Sequence, residues 1–272
     1  MSRRTTALAA ALSVLALGSP LMTGCGAQTT IAEGGSNEAS DINRIVVAES
    51  DSAERPALND EIAELTELIE SNPQDADAYN NRGLAKYLLN DYQGAIADCS
   101  KAIEINPQLA IAYNNRGLAK HLLNDYQAAI ADYSKAIEIN PQLALAYSNR
   151  GRTKHHLNNY QAAIADYNKA IEIDPQYAAA YINRGNAKRK SGDYQGAIAD
   201  YSKAIEINPQ FADAYYNRGN AKRKSGDYQG AIADYNKAIE IDPQDATAYS
   251  NRGIAKGIGF NDTKGACDDF KK

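Results

Sequence analysis

Three groups of side chains in this chain are of types that do chemistry. His121, His155 and His156 are its three histidines. No carboxylate or thiol accompanies them at metal-ligand spacing, so they are expected to face solvent and to hold no metal. Two basic pairs, Arg189-Lys190 and Arg223-Lys224, are extended by Lys188 and Lys222 into Lys-Arg-Lys clusters within an acidic sequence. Such clusters would draw in an acidic segment and speed its encounter. Histidines protonating near about pH 6–7 would widen the positive zone. Cys25, Cys99 and Cys267 are three thiols, which do not make a disulfide framework. There is no Gly-rich phosphate loop, no nucleophile elbow and no carboxylate pair that a cleft would hold. No catalytic residue, cofactor or metal is therefore expected.

The elements that position these residues repeat. Arg-Gly recurs at Arg82, Arg116, Arg150, Arg184, Arg218 and Arg252, always 34 residues apart, and Pro73 through Pro243 keep the same step. Within each unit a first helix, A, ends at Asn90, Asn124, Asn158, Gly192 or Gly226, the residue types that best tolerate a left-handed backbone. Asp91, Asp125, Asn159, Asp193 and Asp227 follow as N-caps of a second helix, B. Helix B places Ile96, Cys99, Ala102 and Ile103 on one face. Asn or Asp before proline ends it, because proline pushes the preceding residue out of helical geometry. Gly83, Ala95, Ala102 and their equivalents are small enough to let A and B approach closely. Cys99 stands where later units have Tyr133, Tyr167, Tyr201 and Tyr235, and Cys267 aligns with Ile232, so both are expected in core slots.

This 34-residue step with its Ala/Tyr/Gly…Tyr…Ala…Pro skeleton resembles the tetratricopeptide repeat, a helix–turn–helix unit that cannot bury its apolar face alone and stacks on its neighbours. The resemblance covers about residues 57–272. It implies an all-α solenoid, a right-handed superhelix whose A helices line a concave surface where partners lie. On this chain that surface would present Asn80, Leu84, Tyr87, Leu88 and their later equivalents. The last turn of helix A changes along the array from Tyr87-Leu88 through His121-Leu122 and His155-His156 to Arg189-Lys190 and Arg223-Lys224. The implied partner is a protein or peptide, with an acidic one favoured by the basic pairs. The lysine by which chaperone-binding members clamp a C-terminal carboxylate is absent, since Asn80, Asn114, Ser148, Ile182, Tyr216 and Ser250 hold those places.

Two departures from the family skeleton recur. Arg82 and its equivalents stand where leucine is common, and Lys86, Lys120, Lys154, Lys188, Lys222 and Lys256 where tyrosine is common. Asp98, Asp132, Asp166, Asp200 and Asp234 recur on helix B, so Arg–Asp pairs between helices are expected, as solvated structural charges. Residues 183–210 and 217–244 differ only at Ser202/Asn236 and Asn208/Asp242, which marks a duplication. The second basic cluster is thus a copy of the first.

The front of the chain differs in kind. Arg3-Arg4 precede an apolar run, Ala7–Gly18, too short to span a bilayer, the pattern of a signal peptide over 1–24. Leu21-Met22-Thr23-Gly24-Cys25 resembles a bacterial lipobox, with Met22 where leucine is usual. The resemblance implies a lipid, palmitate among its chains, on Cys25. Residues 25–56 are rich in Gly, Ser, Glu and Asp and read as a disordered tether. Residues 57–75, centred on Asp60–Glu70, form an N-terminal capping helix, 76–245 five full repeats, and 246–272 a truncated sixth. In that last unit an extra residue is expected in the loop around Lys256–Phe260. Its short helix B would turn Ala266, Cys267 and Phe270 inward and Asp268, Asp269, Lys271 and Lys272 to water.

The whole chain counts 29 basic against 34 acidic residues, which argues against a nucleic-acid partner. The expected protein is an interaction scaffold, lipid-anchored on the extracytoplasmic side of a bacterial membrane. A cell-wall carbohydrate-binding role, suggested by the Tyr- and Asn-rich A surface, is the alternative.

Overall fold

The computed structural model describes residues 54–272, and Cys25, the signal and most of the tether lie outside them. Among the described residues every regular element is an α-helix. In order they are α1 Glu54–Ser71, α2 Ala76–Leu88, α3 Tyr92–Ile105, α4 Ala110–Leu122, α5 Tyr126–Ile139, α6 Ala144–His156, α7 Tyr160–Ile173, α8 Ala178–Lys190, α9 Tyr194–Ile207, α10 Ala212–Lys224, α11 Tyr228–Ile241, α12 Ala246–Phe260 and α13 Thr263–Asp269. From α2 onward even numbers are A helices and odd numbers B helices. The chain divides after Pro209 into two compact units, α1–α9 and α10–α13.

Each turn is written into its residues. Asn90, Asn124 and Asn158 take φ of 68°, 62° and 58°, and Gly192 and Gly226 φ of 90°. This left-handed residue lets the next N–H close back on helix A, as Asp91 N does on Lys86 O at 2.9 Å. The following Asp or Asn then caps helix B. Asp91 Oδ1 accepts from Gly94 N at 2.9 Å, whereas Asp125 and Asn159 accept from Ala128 and Ala162 at 3.3 Å, where an extra methyl crowds the cap. At the far end, Asn106 Oδ1 accepts from Gln108 N at 3.0 Å, bridging Pro107. Asn140, Asp174 and Asp242 repeat that bridge.

In the first unit A packs on its own B through small residues and one filler. Ala95, Ala129, Ala163 and Ala197 are fully buried, with Tyr133, Tyr167 and Tyr201 behind them. Cys99 occupies the tyrosine slot of the first repeat, and burial beside Asp98 pushes its thiol up to about 12, so it is an inert core residue. α2, α4, α6 and α8 also pack on one another, while no pair of B helices makes comparable contact. The A helices therefore form the inner layer of this unit's curve.

The repeated charges are structural, though not solvated. Arg116 donates from Nε to Asp132 Oδ2 at 2.9 Å and from Nη2 to Oδ1 at 2.7 Å, and Lys120 reaches Oδ2 at 2.7 Å. Arg116 Nη1 meanwhile donates to Ser100 of the preceding repeat at 3.2 Å. Its guanidinium also lies 5.5 Å from the Tyr113 ring centroid. One arginine thus ties its A helix to two B helices. Arg82–Asp98–Lys86, Arg150–Asp166–Lys154 and Arg184–Asp200–Lys188 repeat the triad. The aspartates are 4–5% exposed, so these are not surface pairs of negligible worth. Lys188, expected within a basic cluster, is spent on Asp200.

The second unit keeps the same joinery. Arg218–Asp234–Lys222 forms its triad, which likewise removes Lys222 from the second cluster. Its last repeat corrects two expectations. The extra residue lies inside α12, which runs to Phe260, and Asn261 supplies the left-handed turn at φ 56°. Asp269 is buried and bridges Arg252 and Lys256, instead of facing water, and Phe270 stays partly exposed against Gly253. One inserted residue shifts the pairing from a spacing of 16 to 17, and that brings Asp269 into the triad position. At the other end, α1 starts at Glu54, inside the stretch expected as tether.

Candidate functional site

The A-helix layer of the first unit carries most of the residues singled out in the sequence. Asn80, Tyr87, His121 and His155 are buried, Leu88, His156 and Arg189 half-buried, and Leu84 and Lys190 exposed. Arg223 and Lys224 belong to the second unit, half-buried and exposed.

Asn80 is committed to the fold. Its Oδ1 accepts from Asn115 Nδ2 at 3.0 Å, and Asn114 Oδ1 accepts from Asn149 Nδ2 at 3.0 Å. These asparagines form a carboxamide ladder from α2 to α6 at the early-helix positions. Buried amides are satisfied in this way by one another.

The histidines do not face solvent as expected. His121 is 4% exposed, its Nδ1 2.9 Å from Thr153 Oγ1, whose hydroxyl donates to Asn149 O at 3.0 Å. The His156 and Tyr126 rings meet it edge-on at 5.0 and 5.3 Å, and Tyr126 stacks on His156 at 5.7 Å. Burial, with the charge of Arg152 and then His156 beside it, drives the His121 imidazole down to about 2. His121 therefore stays neutral across the physiological range and does not extend a positive zone. His155 packs on Tyr160 at 5.2 Å in the same way as Tyr87 packs on Tyr92 at 5.8 Å. The stripe expected on the surface is a ring-packed layer because each A helix is covered by the next. Among the described residues no group of three or more His, Cys, Asp or Glu side chains is placed to hold a metal ion.

The layer also holds a residue that the spacing argument overlooked. Arg152 stands in the column of Leu84, Leu118, Asn186, Asn220 and Ile254. It is 3% exposed, and neither its Nε nor its Nη2 has a hydrogen-bond partner among the described residues. The phenols of Tyr87 and Tyr133 lie near its guanidinium. Burial raises both phenols, and the arginine's charge partly offsets the rise, yet no hydrogen bond of good geometry joins them. The Tyr133 hydroxyl is itself fully buried and has no hydrogen-bond partner among the described residues. A guanidinium stays charged at any ordinary pH, and a buried charge without a counter-ion costs several kcal/mol. One signal in the sequence points to it: a single cation in a column otherwise apolar or amide. It was obscured by Arg150, two residues earlier, which belongs to the structural series.

At the next A helix, Arg189 sits beside Tyr201, whose hydroxyl donates to Asn186 Oδ1 at 2.8 Å. Arg189 Nε likewise finds no partner among the described residues. The same arrangement of Arg223, Tyr235 and Asn220 recurs in the second unit.

Residues 76–109, 110–143 and 144–177 match a family model described as tetratricopeptide repeat, 166–199 match a second of the same description, and 185–222 and 219–257 match one described as TPR repeat. A comparison with curated proteins returned no match. Solved structures do match. YrrB, described as a TPR protein with an unusual peptide-binding site, is 25% identical over 68% of this chain and 95% of its own, with a TM-score of 0.55. MamA is 28% identical over 61% of this chain and 96% of its own, at a TM-score of 0.55. Pseudomonas aeruginosa pilF, at 19% identity over 73% and 90% with a TM-score of 0.65, shares the fold.

Proposed function

The chain belongs to the tetratricopeptide-repeat family, and from that premise we propose that it is a membrane-anchored extracytoplasmic scaffold that captures a peptide or protein segment on the inner layer of A helices. The single observation that carries this reading is where the repeat breaks its own pattern. The structural triads, caps and core tyrosines recur from unit to unit, whereas Leu84, Tyr87, Leu88, Arg152, His155, His156, Arg189 and Lys190 change along α2, α4, α6 and α8. Of these, Leu84, Leu88, His156, Arg189 and Lys190 reach the surface, and a surface that varies on a framework that does not is how a stacked repeat presents a specific site. The peptide-binding site described for YrrB supports the same reading by likeness. The exposed and half-buried ends of that layer, Leu84 and Leu88 toward α2 and Arg189 and Lys190 toward α8, suit a segment with an apolar end and an acidic end.

Anchoring rests on Cys25 behind the lipobox-like Leu21–Gly24, since a diacylated cysteine holds a protein to a bilayer where a single chain does not. The cell-wall reading loses part of its support, because Asn80, Asn114, Asn115 and Asn149 of the A layer bond to one another.

The test is capture of partners from solubilised envelope by the full chain, compared with Arg189→Glu/Lys190→Glu and, separately, Arg223→Glu/Lys224→Glu. A partner held by the wild type and lost by the first pair supports the inner layer of the first unit. Capture unaffected by either pair refutes the electrostatic part, and no captured protein at all refutes the scaffold. Cys25→Ala should move the chain from the membrane to the soluble fraction and abolish palmitate labelling. A Cys25→Ala chain that stays in the membrane would overturn the anchor.

A further inference from the structure

Helix α1 is a B-type helix without its A helix among the described residues. Thr66 accepts from Arg82 Nη1 at 3.1 Å, as Ser100 accepts from Arg116 at 3.2 Å and Ser134 from Arg150 at 3.0 Å. Asn72-Pro73 stops α1 as Asn106-Pro107 stops α3. In the first repeat the columns that face the repeat's own A helix, Ala95, Asp98, Cys99 and Ala102, are 0–5% exposed. Their counterparts on α1 are open: Glu61 and Glu64 are exposed, Leu65 is half-buried and Leu68 is 45% exposed. The open stripe is acidic, since α1 carries five acids from Asp60 to Glu70 and no base.

The sequence ahead of α1 holds a matching piece. Each of the six units carries Asn-Arg, from Asn81-Arg82 to Asn251-Arg252, and the chain has that dipeptide once more, at Asn43-Arg44. In the five full repeats the arginine pairs with the aspartate 16 residues on, and Asp60 stands 16 residues after Arg44. Helix B of each full repeat begins ten residues after its arginine, and α1 begins ten residues after Arg44. Helix α1 has 18 residues against the 14 of α3, so it is one turn longer. An extra turn preserves the face, so the register counted from Arg44 and the one counted back from Thr66 share one stripe, Ala57, Asp60, Glu61, Glu64, Leu65 and Leu68.

From this register we propose that residues 40–48 dock on the open stripe of α1 as the A element of a degenerate repeat ahead of the first, with Arg44 paired to Asp60 and Ile45 against Ala57. Charge and length select this occupant. Arg44 is the one base between Arg4 and Arg55, and residues 45–53 equal in number residues 83–91, which join Arg82 to α3. The departures from the repeat have physical reasons. The full repeats need glycine after the arginine because a Cys99 or tyrosine side-chain atom lies 2.7–2.8 Å from where a Cβ would stand. Glu61 holds that column on α1, exposed and able to turn to water, so Ile45 fits. Ala48 stands in the column of Lys86, so the charges form a pair and not a triad. Docking leaves residues 26–39 as the free tether in place of 26–53. On the anchor reading, its root-mean-square reach falls from about 30 Å to about 20 Å, which brings the array closer to the lipid.

The experiment is hydrogen–deuterium exchange of the full chain carrying Cys25→Ala, read by mass spectrometry on peptides covering 40–53 and 56–69. Without a lipid at residue 25, the result does not depend on the anchor. The amides of 42–48 should exchange about tenfold or more slowly than in an unstructured chain. Arg44→Asp or Asp60→Arg should remove that protection while peptides of α4–α7 stay unchanged, and the two substitutions together should restore it. Exchange of 42–48 at the unstructured rate, protection that survives both single substitutions, or a double variant no better than the singles overturns the proposal. Protection lost on tenfold dilution also overturns it, and assigns the segment to a second copy of the chain.

Discussion

Replacing Arg152 by leucine is expected to make the first unit more stable. The slot accepts the shape, since Leu118 fills the same position one repeat earlier and is buried there. The guanidinium it would replace is 3% exposed and forms no hydrogen bond of good geometry through Nε or Nη2. Exchanging buried ionic groups for packed apolar ones has stabilised proteins by roughly 1–4 kcal/mol even where the charges were paired. An unpaired charge places the gain at about 2 kcal/mol or above. For a unit of this length, about 2 kcal/mol corresponds to a rise in Tm of about 4–8 °C. The assay is urea and thermal unfolding of the full chain by circular dichroism. The two compact units can give two transitions, so the one that moves must be assigned. A fall in stability would refute the reasoning, because it would mean that the phenols around Arg152 already satisfy it.

Other perturbations follow from the same geometry. Asp132→Ala removes the acceptor of three charge-assisted bonds and leaves Arg116 and Lys120 together, so it should cost about 3 kcal/mol in urea unfolding. Lys135→Ala, which breaks only an exposed pair with Glu138, should leave the midpoint unchanged. Gly117→Ala puts a methyl 2.7 Å from Cε1 of the immobile Tyr133 ring, and overpacking of about 1–3 kcal/mol should exceed the helix-propensity gain of about 1 kcal/mol, again read from the urea midpoint. His121 binds its proton in the unfolded chain near about pH 6.5 but in the folded chain only near about 2. Stability of the first unit should therefore fall as pH drops below about 6.5, by up to about 1.4 kcal/mol per pH unit, and His121→Gln should flatten that slope. Burial raises the Asp269 carboxyl, but its bonds to Arg252 and Lys256 win and leave it below the usual range of 3.8. Its contribution to the second unit is thus present above that range and is lost as pH falls through the lower folded value, which Asp269→Asn should abolish in an acid titration.

The architecture was legible in the sequence because it is repeated and local. A left-handed Asn or Gly, an Asx cap and an Asn-Pro stop each act within a few residues, and each is found where spacing put it. The Arg–Asp pairing was legible too, since a fixed spacing of 16 links A to B within a unit. Burial on the A layer was not. Whether His121 meets water or Thr153 depends on how closely the next A helix lies over it, and that depends on the rotation between repeats. No residue of one repeat encodes that rotation alone. The same applies to Lys188: as a sequence neighbour of Arg189 it counts as part of a basic cluster, but in space it is the second cation of Asp200.

Periodicity also separates two kinds of charge. A cation that returns every 34 residues has a carboxylate returning with it, and the fold has solved its desolvation once and copied the solution. A cation that occurs once in its column has no inherited partner. If such a residue lies at the surface, water screens it and little follows. If it is buried, as Arg152 is, its cost persists in every molecule until something supplies an acceptor. Arg189 and Arg223 fall between these cases, copied once by duplication and half-buried, with only Nε lacking a partner. That ordering ranks the three arginines by the desolvation each carries, with Arg152 first. It also yields a discriminating double substitution. Supplying an acidic residue beside Tyr87 and Tyr133, which neighbour both positions, as in Leu118→Glu, should satisfy the guanidinium internally. Arg152→Leu combined with Leu118→Glu would bury a lone carboxylate and should be less stable than either single variant. If the two substitutions instead add independently, Arg152 and residue 118 do not interact through the Tyr87 and Tyr133 rings that neighbour both.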